Sequence, residues 1–309
     1  MKIHKAYENL DLKIPVVTMG IFDGVHRGHK ILIERLISCS REVNGESVVI
    51  TFHPHPRLVL SKNAKGISFL STLEEKTALL EKTGLDHLII IDFTPQFSRM
   101  KSIDFVEDVL VNSIRTRFLI VGHDHHFGYK GEGNYDTIKN CAMAMGFRVE
   151  QVRGLKSGRN AISSSLIRES LLKGKLDEAN KWLGYNYSLK GSVIEGKKIG
   201  RKIGFPTANI NPDDQFKLIP GNGVYAVETQ VDNKRMPAML SIGSNPTVNK
   251  SQGTRSIEVH IFDFDKDIYG KEIEVIFRHR LRDEIKFENT GQLVRQMELD
   301  KANSLRLLT

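Results

Sequence analysis

Cysteine is almost missing from this chain. Cys39 and Cys141 are the only two in 309 residues, far apart and without metal-type spacing around either. That argues against a disulfide framework, and a reduced, cytoplasmic protein with unpaired thiols is expected. Long apolar runs are missing too: the longest, such as Val16 to Phe22 and His87 to Phe93, fall far short of the roughly 20 residues that cross a bilayer. The start, Met1 to Pro15, alternates charge and has no apolar h-region, so no signal peptide is expected. Internal repeats and low-complexity tracts are absent. A Walker-type phosphate loop (Gly-x-x-x-x-Gly-Lys-Ser/Thr) is absent as well, so any nucleotide must be held by other means.

Acid does not balance base. The formal net charge is +8 and the sequence pI about 9.3, a surplus that attracts anions. Basic residues are scattered, Lys197, Lys198, Arg201 and Lys202 coming nearest to a cluster, and no nucleic-acid reader motif is present. Phosphorylated small molecules are therefore expected as partners, rather than nucleic acid or a membrane surface.

With 40% hydrophobic and 27% charged residues, the length suits two globular domains. In the first half, Pro15 to Ile21, Ser47 to Phe52, His87 to Phe93, Arg117 to Val121 and Phe147 to Val152 read as buried strands. Helical patterns alternate with them at His29 to Cys39, Leu73 to Glu81, Ile103 to Ile114 and Tyr135 to Met145. Strict alternation predicts an α/β doubly wound parallel sheet covered on both faces. Gly84 and Gly146 stand where left-handed helix C-caps are wanted.

Two short helices follow, Leu166 to Leu172 and Asp177 to Leu183, closed by Gly174 and Gly184. Closely spaced strands then predict an antiparallel barrel or sandwich: Leu189 to Glu195, Val224 to Val231, Met236 to Ile242, Ile257 to Phe264 and Ile273 to Phe277. Asp232-Asn233 suits a hairpin turn. An amphipathic helix, Thr290 to Leu308, ends the chain, with Leu293, Met297 and Leu305 available to pack. The boundary is expected near Tyr185, giving domains 1–184 and 185–309.

The first chemical constellation is Gly20-Ile-Phe22-Asp23-Gly24-Val-His26-Arg-Gly28-His29, directly after the first strand. Its glycines let backbone approach a ligand, and the new helix offers free amides and a positive dipole end. Imidazole donors can neutralise charge building on an attacked phosphate, as adenylyl transfer requires. Thr51-Phe-His53-Pro-His55-Pro and Val121-Gly-His123-Asp124-His125-His126-Phe-Gly end the second and fourth strands, where a doubly wound sheet opens its ligand crevice. The histidine spacing matches no zinc pattern. Ile162-Ser-Ser164-Ser165-Leu-Ile-Arg168 supplies hydroxyls at a helix start and an arginine one turn in.

The second half carries Gly196-Lys-Lys-Ile-Gly200-Arg-Lys-Ile-Gly204-Phe-Pro206-Thr207-Ala-Asn209. The glycines make a phosphate-approaching loop. Thr207 and Asn209 alternate along an extended segment, so they face one side; hydroxyl and amide oxygens suit Mg²⁺ on nucleotide phosphates. Gly223-Val-Tyr225-Ala, Ile242-Gly-Ser-Asn245-Pro-Thr247 and Glu258-Val-His260-Ile-Phe-Asp263-Phe follow in order.

Together these motifs resemble the prokaryotic riboflavin kinase/FMN adenylyltransferase family over nearly the whole chain. The resemblance implies a nucleotidyltransferase domain followed by an antiparallel flavokinase barrel with a C-terminal helix. It implies riboflavin, FMN and ATP as substrates, flavins as products, and Mg²⁺ with the ATP. It casts Glu258 as kinase base and Thr207 and Asn209 as metal ligands. His26, His29 and Arg168 would serve adenylylation, with Phe22, Asp23, Gly24, His53, His55, Asp124, Ser164 and Ser165 binding. Gly196, Gly200, Gly204 and Asn245 would bind at the kinase. The family usually has Phe at His125, Thr at Ser165, and Gly-Arg-Pro-Tyr where this chain has Gly184-Tyr-Asn186-Tyr. The competing readings are a paralogue with one active module, the kinase, and a non-catalytic flavin- or RNA-binding regulator.

Overall fold

The computed structural model describes every residue except 62, 158–159, 197–199, 201–202, 233, 245–254 and 309. Two compact units emerge, Met1–Ser164 and Ser165–Thr309. Among the described residues, no helix is long and apolar enough to cross a membrane.

The first unit is built on β1 (Lys2–His4), β2 (Pro15–Met19), β3 (Glu46–His53), β4 (His87–Asp92), β5 (Phe118–Gly122) and β6 (Arg148–Val152). They form one sheet in the order β1-β4-β3-β2-β5-β6, all pairs parallel. Alternate residues of a strand serve opposite faces. Val17, Met19, Val48 and Ile50 enter one apolar core, with Phe105, Val109 and Ile138. Val16 and Val49 enter the other, with Ile33, Leu36 and Leu80. Both faces are covered, which is why these strands read as continuous apolar runs.

The helices are α1 (Arg27–Glu42), α2 (Pro56–Leu60), α3 (Leu73–Glu81), α4 (Ser102–Asp104) and α5 (Tyr135–Met145). Helix α3 opens on a capping box, Glu75 N donating to Thr72 Oγ1 at 3.2 Å and Thr72 N to Glu75 Oε2 at 3.0 Å. Gly146 closes α5 at φ 79°. One helix departs from expectation: after α4 the chain widens into a π-helix over Phe105–Ser113, with Ile114 N bonded to Val109 O at 3.0 Å. Apolar periodicity over so short a stretch does not separate five-residue from four-residue hydrogen bonding. A short hairpin, β7 (Lys156–Ser157) with β8 (Asn160–Ala161), completes the unit.

The second unit has α6 (Ser164–Leu172) and α7 (Leu176–Leu183) before its strands; the first residue of α6 still counts with the first unit. Strands β9 (Ser188–Ile194), β10 (Ala208–Pro212), β11 (Gly223–Val231), β12 (Lys234–Ser244), β13 (Arg255–Ile261) and β14 (Glu272–Arg282) close a barrel in the order β10-β13-β12-β11-β14-β9. All pairs are antiparallel. The open choice between barrel and sandwich is thus resolved as a barrel. Val231 lies opposite Lys234, so β11 and β12 join through a two-residue turn in which Asp232 has φ 47°; Asn233 lies outside the described residues. Helix α8 (Thr290–Leu308) lays Val294, Met297 and Leu305 on Phe205, Met239 and Phe262. Asp300 on the same helix is buried and takes a bidentate bond from Arg282 of β14, with Nη2 to Oδ2 at 2.6 Å.

Candidate active sites

In the first unit, the chain runs from β2 outward to β3 and β4 on one side and returns to β5 and β6 on the other. The crevice of such a sheet opens outside the carboxyl ends where the order reverses, between β2 and β5. The Gly20–His29 turn sits there. Phe22, Gly24 and Val25 all have positive φ, at 52°, 77° and 36°, so the turn is tight enough to hold non-glycine residues in a costly region. His26 N-caps α1, its Nδ1 accepting from His29 N at 3.4 Å. An imidazole accepting at Nδ1 is not a donor at that nitrogen, so any proton it donates is on Nε2. The first turn of α1 contains no acid to neutralise the dipole.

His29 stacks on His26 with ring centroids 3.6 Å apart and meets Phe22 edge-on at 5.1 Å. Burial holds His29 well below the ordinary imidazole range, with His26 and the Lys76 ammonium adding to the effect. Its Nδ1 is buried without a hydrogen-bond partner among the described residues. Two imidazoles side by side at a helix start can donate to phosphate oxygens without taking part in covalent chemistry.

Asp23 sits differently from a ligand-facing carboxylate. It is buried, and Oδ1 accepts from Leu70 N at 2.8 Å and Ser71 N at 3.1 Å. Gly24 N donates to Ser71 Oγ, and Ser164 Oγ to the Asp23 carbonyl at 2.9 Å. The turn is thus pinned from two distant segments. His55 caps α2, Nδ1 accepting from Arg57 N at 3.0 Å, and stacks on Phe69 at 4.1 Å. His53 is exposed at the end of β3, and Asp124 is exposed just past β5. His125 stacks on Phe127 at 5.8 Å, and burial lowers its pKa to about 4. Ser165 and Arg168 belong to the second unit, where Arg168 Nη2 donates to Ser165 Oγ at 3.0 Å.

Lys76 carried no expectation from its sequence. It is buried on α3, with Nζ 3.4 Å from Thr51 Oγ1, and burial lowers its pKa to about 8 against the pull of Asp23. The available signal was its place between Leu73 and Leu80 at helical spacing, a core position taken by a cation.

In the barrel, Thr207, Asn209 and Glu258 come together. Asn209 lies opposite Glu258 across β10 and β13, and Thr207 Oγ1 donates to Glu258 Oε2 at 3.3 Å. All three line a cavity of about 400 Å³ with Met239, Ile285 and Phe287. A second cavity of about 310 Å³, bounded by Phe264, Ile268 and Tyr269, also reaches Thr207. Gly196 and Gly200 lie against this segment. A methyl on Gly196 would strike the Asn209 amide, and one on Gly200 the Phe205 carbonyl; Gly204 has φ 83°. Asn245 and the basic residues Lys197, Lys198, Arg201 and Lys202 lie outside the described residues.

The FAD synthetase family model matches residues 9–166, and the riboflavin kinase family model residues 183–308. The chain is 39% identical to the bifunctional riboflavin kinase/FMN adenylyltransferase of Listeria monocytogenes, over 94% of this chain and 91% of that one. It is 36% identical to the protein of the same description from Escherichia coli, over 97% of this chain and 96% of the relative. Among solved structures, one described as a macrolide-efflux protein from Streptococcus pneumoniae superposes with a TM-score of 0.88. It is 30% identical and covered over 98% of each chain.

Proposed function

Because the chain belongs to the bifunctional riboflavin kinase/FMN adenylyltransferase family, we propose that it makes FAD from riboflavin at two sites, one in each unit. Riboflavin, FMN and ATP are its partners, and the cytoplasm is its compartment. We keep the division at 1–184 and 185–309, since α6 and α7 precede the barrel strands and Gly184 ends α7 at φ 73°.

The observation that carries the kinase reading is a carboxylate, a hydroxyl and an amide on one cavity wall. The ribityl hydroxyl of riboflavin is a poor nucleophile until a base within hydrogen-bond reach takes its proton. Glu258 accepts that proton, the hydroxyl oxygen bonds to the γ-phosphorus, and ADP leaves. Thr207 Oγ1 and Asn209 Oδ1 are hard oxygen donors on one strand edge, and such a set fits Mg²⁺. Bound there, the metal would neutralise charge on the nucleotide phosphates. The larger cavity, with Phe287, Ile285 and Met239, suits the flat flavin ring; the smaller, with Tyr269 and Phe264, suits adenine. Thr207 borders both, where the two substrates must meet.

In the first unit, an FMN phosphate oxygen attacks the α-phosphorus of ATP and pyrophosphate leaves. His26 and His29 donate to the phosphate oxygens, and the positive dipole end of α1 adds to the field. Phe22 and Gly24 shape the turn, and Asp23 holds it by its grip on Leu70 and Ser71. His53, His55, Asp124 and Ser164 complete the binding set of this unit; the family resemblance assigns nucleotide contacts to Ser165 and Arg168 of α6 as well, and Gly196, Gly200, Gly204 and Asn245 to the kinase.

The test is direct. Incubate the protein with riboflavin and MgATP and separate the flavins by chromatography. FMN followed by FAD is expected; FMN alone would reduce the protein to a kinase, and neither product would refute catalysis.

A further inference from the structure

We propose that His260 is a positioning residue of the phosphoryl-transfer site, fixing Thr207 through the carbonyl of Pro206. This role rests on the kinase reading above. Strand β10 pairs with β13 only as far as Ala208, opposite Val259. Thr207 therefore lies one residue beyond the ladder, where no strand pairing holds it. The next carbonyl back, that of Pro206, is bonded to His260 Nδ1 at 2.8 Å. Thr207 is thus bracketed, by the ladder on one side and an imidazole on the other.

A carbonyl oxygen can only accept, so the proton of that bond is on Nδ1. The ring has little freedom to leave it. His260 is 7% exposed and meets Phe205 and Phe262 edge-on, at 5.2 Å and 5.6 Å between centroids. Burial lowers its pKa, favouring the neutral ring, and in that form the carbonyl determines which nitrogen carries the proton. From the other side, Phe205 N donates to Gly200 O at 2.9 Å, tying Gly200 to the same turn. What this anchoring protects is the 3.3 Å contact between Thr207 Oγ1 and Glu258 Oε2. His260 stands two residues from Glu258 on β13, so both side chains project to one face of the strand and both line the larger cavity.

The test exploits the two nitrogens. In His260→Asn the side-chain amide N–H sits about where Nδ1 was, whereas His260→Gln places its amide nearer Nε2 and His260→Leu removes the donor. Each full-length variant is assayed for FMN formation from riboflavin and MgATP, with folding followed by circular dichroism melting. Orienting partners of metal-site ligands commonly matter about 10–100-fold. His260→Gln and His260→Leu should lower kcat by about that factor with KM for riboflavin little changed, and His260→Asn should stay within about threefold of the parent. Equal activity of all three variants and the parent would overturn the proposal, as would an Asn variant as slow as the Leu variant. Should the Leu variant fail to fold, the contrast between Asn and Gln decides. A parent protein that makes no FMN would overturn both this role and the kinase reading, whereas an active parent with an indifferent His260 would overturn this role alone.

Discussion

The two candidate sites are built in opposite ways. At the β2–α1 turn, the motif residues contact one another or anchor the turn itself. His26 caps the helix that carries His29, the two rings stack, and Asp23 holds the backbone of Leu70 and Ser71. In the barrel, strand register does the assembling: Asn209 faces Glu258 across β10 and β13, residues far apart in sequence. A local motif presents its chemistry through a short strained turn, and its geometry survives as long as that turn is pinned. A site assembled by register depends on whatever holds each strand end in place, which is the role assigned to His260.

The largest effect that would sharpen this contrast is at the base. Glu258→Gln keeps size and most hydrogen bonding but removes the proposed proton acceptor, so riboflavin phosphorylation should slow about 10²–10⁴-fold. Conversion of supplied FMN to FAD should be unaffected. His29→Ala should do the reverse, lowering FAD formation from FMN about 10²–10³-fold, as loss of one donor to a charged transition state commonly does. Steady-state rates for each substrate check both.

A smaller effect lies in stability. Lys76 has a folded pKa of about 8 against an ordinary 10.5. Between those values the unfolded chain binds more protons, so stability rises with pH across this window, and the full penalty of burying the charge is present below it. Lys76→Met removes the titrating group. The variant should gain on the parent below pH 8, by up to about 3 kcal/mol, and that advantage should shrink by pH 10. Urea unfolding of both proteins at the two pH values measures it; an advantage unchanged by pH would contradict a buried, protonated Lys76.

The smallest effect is expected at His125. Its Nε2 is buried without a partner among the described residues, and the ring is neutral near pH 7. His125→Phe should leave FAD formation unchanged or slightly improved, leave the kinase untouched, and raise stability by about 1 kcal/mol through removal of an unsatisfied polar atom. Collapse of adenylylation in this variant would make His125 a working group.

Much of this was legible in the residues because periodicity and local motifs are local properties. Five of the six parallel strands follow from short apolar runs, and α1 from the motif before it. Strand β1 does not: Lys2–His4 is three residues long and lies at the sheet edge, held by pairing with β4 and by His4 Nε2 against His87 Nδ1 at 2.9 Å. Strand β13 stops at Ile261, short of the Phe264 expected, and Asp263 has φ 52°, which turns the chain out of the sheet. Strand β14 runs on to Arg282 through residues whose polar side chains hid it, among them the arginine that binds Asp300. The histidine motif announced itself, but the burial of Asp23 against Leu70 and Ser71 depends on a segment 47 residues away. The bond from His260 to Pro206 likewise spans 54 positions. Contacts at that separation exist only once the fold has closed.

The central claim is that two independent sites share one chain, and complementation tests it most directly. Glu258→Gln alone and His29→Ala alone, each given riboflavin and MgATP, should yield little FAD. Mixed in one vessel, they should yield it readily, because FMN released by the His29→Ala protein is a substrate for the Glu258→Gln protein. FAD in the mixture with none from either variant alone is the predicted result. A mixture that accumulates FMN without FAD, or makes no FMN at all, would contradict two separable sites.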